Sequence, residues 1–217
     1  MVNSDFELRE LVSAIIDGDT ARVSRLLAAS LSLVRARFQA GATRQETKEY
    51  FLEQIGRYIF AGDTALHIAA AAYQTQIARS LLAAGADVHA RNRRGAEPLH
   101  AAAVGLPGSP RWNPDAQTAA IVCLIEARAD PNAVDKSGVS PLHVAVRTRC
   151  STAVRTLLEH GADPTRPNGN GSTSMVLAMH NTGRGGSGSE EAKAEQREIV
   201  RLLVRHAKAG PHSKLGT

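Results

Sequence analysis

One nine-residue phrase recurs four times along this 217-residue chain, and it restricts the possible folds more than any other feature. The copies are GDTALHIAA (62–70), GAEPLHAAA (95–103), GVSPLHVAV (138–146) and a worn GSTSMVLAM (171–179). Their leading glycines, Gly62, Gly95, Gly138 and Gly171, stand 33, 43 and 33 residues apart. A second phrase trails each copy: IARSLLAAGAD, AIVCLIEARAD, AVRTLLEHGAD and IVRLLVRHAKA. Its leucine follows that of the first phrase by 15 residues twice, Leu66 to Leu81 and Leu142 to Leu157. The lag grows to 25 from Leu99 to Leu124 and to 27 from Met175 to Leu202. Two helical phrases in a period of 33 describe units that cannot bury their apolar faces singly and must stack. One elongated domain follows, rather than two compact ones.

The phrases also have a local mechanical reading. Thr64, Ser140 and Thr173 are hydroxyls suited to cap a helix, and Pro98 and Pro141 then fall at the first helical position. Leu66 with Ala69, Leu99 with Ala102 and Leu142 with Ala145 share a helical face. Hydrophobic residues make up 43% of the chain, yet alanine dominates them and aromatics reach only 4%. That composition suits small helices in close approach better than a thick core around a large cavity. Gly85 and Gly161 suit the left-handed cap after the second helix. Arg128 and His206 take that place in the other two units, a strain unless those ends close differently.

With period and phrases in view, the chain resembles the ankyrin repeat family, whose hallmark is T-P-L-H-x-A within a unit of 33 residues. Pro98-Leu99-His100 and Pro141-Leu142-His143 match directly. Thr64-Ala65-Leu66-His67 loses the proline, Ser140 is a near-threonine, and Glu97 and Ser174 depart from the pattern. Met175-Val176 has lost the Leu-His pair, so the last unit resembles an end cap. The resemblance implies an all-α solenoid of helix–turn–helix units with short hairpin fingers, about five repeats interrupted by three insertions. Its expected layout is one domain over 1–209 and a flexible tail at 210–217. Within it stand an N-terminal capping unit (7–29), an insertion (30–60), repeats at 61–93, 94–136 and 137–169, and a C-terminal capping repeat (170–208). The N-terminal unit aligns when Leu11 takes the place of Leu66 and Leu26 that of Leu81, again 15 apart.

His67, His100 and His143 recur once per repeat. A catalytic or metal-binding group need appear only once, whereas a stacking device must recur, so these histidines read as structural, with Leu66, Leu99 and Leu142. The expected bond runs from each to its cap and the neighbouring turn.

The insertions individualise the chain. In the first, TRQETKEYFLEQIGRYIF offers a capping box of Thr43 with Glu46, then Phe51, Ile55, Tyr58 and Ile59 at helical spacing. An extra helix is expected there, covering the early stack. The second, GLPGSPRWNP (105–114), is a loop carrying the single tryptophan, Trp112, which either anchors a partner or folds back over the repeat edge. The third, NTGRGGSGSEEAKAEQ (181–196), is glycine-rich and then acidic-helical. Gly183, Gly185 and Gly188 match a phosphate-loop spacing, but no strand precedes them, and Glu190 and Glu191 would repel a phosphate. The last two insertions should emerge on one edge of the stack.

No nucleophile elbow, P-loop, H-E-x-x-H or paired cysteine site occurs, so the expectation is a non-enzyme with no cofactor and no metal. The resemblance implies a protein-binding module working through a concave face of fingers and inner helices. Mapped by repeat position, the exposed places are Asp63, Ala71 and Ala72; Arg93, Arg94, Ala96 and Val104; Lys136, Ser137, Val139 and Arg147; and Asn170 and Ser172. Trp112 and Arg91 join these as partner-binding candidates. Arg91, Arg93 and Arg94 together suit an acidic partner through paired hydrogen bonds. The alternative is nucleic acid or another polyanion bound by the finger arginines, disfavoured because aromatics are not interleaved with the basic residues. The net charge of +5 is spread along the chain. A third reading, an enzyme using His180 or Asp115 at the insertion edge, has no acid–base pair behind it.

Cys123 and Cys150 lack metal or disulfide spacing, which agrees with a reducing compartment. Cys123 is expected as a small buried filler and Cys150, at a helix junction, as more exposed. The opening MVNSDFELRELVSAIIDGD has no basic and apolar export pattern, and no run is long enough to span a membrane. The expectations are therefore a cytoplasmic monomer without membrane contact, although an effector exported without a readable signal would look the same.

Overall fold

Each repeated phrase becomes a short helix because its first residues satisfy the helix's orphan amides. A computed structural model describes residues 2–43, 48–109, 112–180 and 190–209. Among these, five antiparallel helix pairs follow one another: α1 (Val2–Ile16) with α2 (Thr20–Ala29), and α3 (Ala65–Ala71) with α4 (Thr75–Ala83). Next come α5 (Pro98–Ala102) with α6 (Pro114–Glu126), α7 (Pro141–Arg147) with α8 (Ser151–Glu159), and α9 (Ser174–Met179) with α10 (Glu190–Ala209). The first members of each pair pack in one layer, α1 on α3, α3 on α5, α5 on α7, α7 on α9. The second members form the other layer in the same order, from α2 to α10. This is the all-α repeat solenoid the spacing implies.

Leu11, Leu66, Leu99 and Leu142 are fully buried in the inner layer, and Leu81, Leu124 and Leu157 in the outer one. The alanines at 65, 69, 70, 101, 102, 103 and 145 are buried between them, which lets the helices approach closely. In the terminal unit Leu26 is half-buried, and Val23 and Leu27 face the core instead. Cys123 is buried as expected, but Cys150 is fully buried too, against the expectation of exposure. The second insertion folds over it: a β-carbon on Gly105 would lie 1.9 Å from the Cys150 sulfur. Burial pushes that thiol up to about 12, leaving it protonated and inert.

Adjacent repeats are sewn together at the fingers by backbone bonds. Gly62 N–H donates to Phe38 O (2.7 Å), Arg93 N–H to Ala61 O (2.7 Å), Lys136 N–H to Arg94 O (2.9 Å) and Gly169 N–H to Ser137 O (2.8 Å). Within each fingertip one side chain closes the turn. Asn92 Oδ1 accepts from Arg94 N–H and Ala96 N–H, Asp135 Oδ1 from Ser137 N–H and Val139 N–H, and Asn168 Oδ1 from Asn170 N–H and Ser172 N–H.

The helix ends close in two ways. Gly85 and Gly161 adopt φ of 91° and 90°, and Arg128 is forced into the same left-handed region at 74°. His206 has no such role because α10 runs on through it to Ala209.

The first insertion corrects the expectation of a helix. After a 3-10 turn (Leu31–Val34) the chain forms a two-stranded hairpin, β1 (Phe51–Leu52) paired with β2 (Arg57–Tyr58), Phe51 opposite Tyr58 and Leu52 opposite Arg57. Gly56 sits in the connecting turn at φ 60°, and a helix would have enclosed it. Tyr50 and Ile59 point into the core while Phe51 and Tyr58 stack outside, ring centroids 4.7 Å apart. That in–out alternation has the period of a strand, and the aromatic and β-branched residues at its flanks favour it. Glu46, half of the expected capping box, lies outside the described residues, as do Gly183, Gly185, Gly188 and the tail at 210–217. In sequence the second and third insertions both begin between an inner helix and its outer partner, after α5 and after α9.

Candidate functional site

The histidine row proves to be part of the scaffold. Backbone N–H groups of Thr64, Glu97 and Ser140 donate to Nδ1 of His67, His100 and His143 at 3.2, 3.1 and 3.1 Å. Nδ1 must therefore be the acceptor, so Nε2 carries the proton and donates to the next repeat. Those bonds reach Ala96 O (3.1 Å), Val139 O (3.0 Å) and Ser172 O (3.2 Å). Both nitrogens of each ring are engaged, and burial lowers the pKa of all three, that of His67 to about 4. Glu97, which replaces the usual threonine, is buried as a cap and paired with Arg91 at 3.1 Å.

A groove of about 490 Å³ runs across three repeats on the side of the fingers and inner helices. Its floor is Ala96, His100, Ala101, Val139 and Val144; Val104, Arg147 and Thr148 line one part, and Asn92, Arg94 and Asp135 the fingers' part. Arg57 and Phe60, from the first insertion, close it at one end. A second cavity of about 280 Å³ adjoins it and shares Arg57, Phe60, Ala101 and Val104. That cavity lies between the hairpin (Gln54 to Tyr58), the end of α3 (Ala71 to Tyr73) and the second insertion (Leu106, Ser109, Trp112). Two insertions, far apart in sequence, thus build one pocket on the stack.

Charge around the groove is uneven. Arg94 lies over the Phe60 ring at 5.1 Å, and Arg93 over the same ring at 5.7 Å while donating to Ala42 O. Arg57 reaches Asp63 at 3.6 Å, but its buried Nε–H has no acceptor among the described residues. Asp63 itself accepts from Phe60 N–H (2.8 Å) and Asn92 Nδ2 (2.9 Å). Among the described residues the one carboxylate lining the groove, Asp135, is occupied by its fingertip amides.

Two positions expected to be exposed are not. Asp63 is fully buried, because the hairpin's Arg57 and the finger's Asn92 enclose it, and Val139 is only 8% exposed, since His100 draws its carbonyl inward, although it lines the larger groove. Among the other expected positions, Arg94, Ala96, Val104 and Arg147 meet in the larger groove, and Ala71, Ala72, Val104 and Trp112 meet in the smaller pocket. Lys136, Ser137 and Asn170 are exposed at fingertips, Ser172 is half-buried there, and none of the four lines either space; Arg91 pairs with Glu97 instead. Trp112 folds back, its indole N–H donating to Gln117 Oε1 at 2.9 Å while the ring walls the pocket. Sequence reading missed Arg57, Phe60 and Leu106. Arg57 and Phe60 were legible only to a reader who had placed a hairpin at Gly56.

No group of three or more histidine, cysteine or acidic residues among the described residues is placed to hold a metal ion. No helix among them is long and apolar enough to cross a membrane. The ankyrin repeat profile matches residues 61–93, and a profile of ankyrin repeats in many copies matches 124–178. No curated protein matches the chain. Proteins built on these repeats generally act as protein–protein interaction modules rather than enzymes. Period, caps, sewn fingers and the two profile matches agree in supporting an ankyrin repeat protein.

Proposed function

We propose that this chain is a non-enzymatic binding module that holds a partner protein in the groove on its concave face. The observation that carries the reading is the groove itself, open, lined by both apolar and cationic groups, and continuous across three repeats. Val104, Leu106 and Tyr58 expose 39, 48 and 40% of their surface around it, a concentration of apolar area that marks contact sites. A rigid stack beneath keeps the ordering cost of binding small. The finger arginines support a polyanion reading less well. Arg91 is paired with Glu97 and Arg93 with Ala42 O, which leaves Arg94 as the finger's contribution.

The test is capture from the source cell with the wild-type chain and with Arg94→Glu and Arg147→Glu variants, followed by identification of what is retained. A partner kept by wild type and lost by both variants supports the reading. Equal retention removes the concave face from consideration.

A further inference from the structure

The pocket beside the groove gives the partner a more definite chemistry. Its walls are Ile55, Phe60, Tyr73, Leu106 and Trp112, enough to surround one large apolar side chain. Its junction with the groove is Arg57, which lines both spaces. The Arg57 side chain is 14% exposed, and its Nε–H lacks an acceptor among the described residues. A buried, unpartnered donor on a charged group is unfavourable by itself, and a carboxylate arriving there relieves it. Asp63 cannot serve fully, since both its oxygens are already engaged. Arg94, held over Phe60, and Arg147 add two cations to the same groove, opposed there, among the described residues, by Asp135 alone.

We propose that groove and pocket together take one extended peptide of acidic–apolar character. A leucine- or aromatic-sized side chain enters the pocket under the hairpin, and a carboxylate close to it in sequence meets Arg57, Arg94 and Arg147. The proposal rests on the concave-face reading above and narrows it. It assigns the two insertions a purpose the repeats lack: the hairpin supplies Arg57 and Phe60, the second insertion supplies Leu106 and Trp112. Charge complementarity selects this occupant over a basic or purely polar segment.

The experiment pans a random peptide library against the full chain, then titrates synthetic, fluorescein-labelled winners against wild type and variants. Enriched peptides should pair an acidic residue with a nearby Leu, Phe or Trp. Replacing the peptide's acid by its amide, or its apolar residue by Ser, should each weaken binding about tenfold or more. In Arg147→Gln and Arg94→Gln chains the acid-to-amide difference should shrink severalfold, and Val104→Gln should weaken every winner. Arg57→Lys extends the series, and the Arg94 and Arg147 variants carry the test if that variant folds poorly. Winners that lack an acid but are lost in Val104→Gln overturn the acidic–apolar assignment and leave the concave-face reading standing. Winners indifferent to all groove substitutions overturn both. No enrichment, or sedimentation showing that a second copy of the chain covers the groove, overturns the assignment.

Discussion

Acidification should loosen this stack before any carboxylate titrates, because its histidines work only when neutral. His67 is fully buried, and its Nδ1 faces the Thr64 N–H and hydroxyl, at 3.2 and 3.0 Å. A proton added there would set donor against donor at the helix cap. Burial is the main cause of its lowered pKa of about 4, partly offset by Asp63 at 3.8 Å. In the unfolded chain the same ring titrates near 6.5, so between those values the unfolded state binds the extra proton. Stability therefore falls as pH drops through 6.5 and continues to fall until about 4. Integrated from pH 7 to pH 5, His67 alone removes about 2 kcal/mol. His100 and His143, lowered in the same direction by burial, add to it. Asp and Glu side chains in the unfolded chain stay largely ionised above about pH 5, so that window isolates the imidazoles. Urea unfolding followed by helical circular dichroism at a series of pH values measures the slope. In His67→Gln the loss between pH 7 and pH 5 should be smaller by about 2 kcal/mol, whatever its absolute stability. An unchanged slope in the variant, or a wild-type His67 resonance that titrates near 6.5 in the folded protein, refutes the argument.

Other substitutions test the scaffold at single points. Arg128→Gly removes a side chain from a left-handed position that sister repeats give to Gly85 and Gly161, and should raise stability by about 0.5–1 kcal/mol in chemical denaturation. Gly138→Val should do the reverse: at φ 69° its β-carbon would come within 2.6 Å of Gly169 N, and unfolding free energy should fall by about 2 kcal/mol or more, seen as a lowered thermal midpoint. Leu99→Ala leaves a void beneath the central repeat and should lower unfolding free energy by about 2–5 kcal/mol, with an intact m-value if the stack still unfolds as one body.

The repeats were legible because their signals are local and redundant. Pro98, Pro141 and the cap hydroxyls fix where helices start, and Leu66, Leu99 and Leu142 mark one buried face with alanine spacers. Each of these reads from residues within one turn of itself, and each occurs more than once, so one worn copy does not erase the pattern. Glu97 shows how much wear is tolerated: a carboxylate replaces the threonine, keeps the bond to the helix, and is neutralised by Arg91. Cys150 was misplaced because its burial depends on a loop much earlier in the chain, where Gly105 N–H donates to Thr148 Oγ1 at 3.3 Å. No local pattern carries that information.

The binding site was half legible for the same physical reason. Arg94, Val104 and Arg147 occupy repeat positions whose outlook is set by the stack, so periodicity placed them in the groove. Arg57 and Phe60 stand in a segment that occurs once, where Phe51, Ile55, Tyr58 and Ile59 satisfy helical spacing and strand alternation alike. The strand wins through pairing within the segment and contacts beyond it. Ile59 N–H donates to Tyr50 O and Ala42 N–H to Ile59 O, each at 2.8 Å, and Arg9 lies 5.5 Å from the Tyr50 ring. Once so placed, the hairpin changes the outlook of residues the repeats had assigned. It encloses Asp63, which periodicity alone would leave in solvent, and turns an open face beside Ala71 and Ala72 into a pocket. Specificity in such a stack therefore resides in what interrupts the period. The period supplies rigidity, and Arg57 and Phe60 from one interruption with Leu106 and Trp112 from another decide which side chains the groove admits.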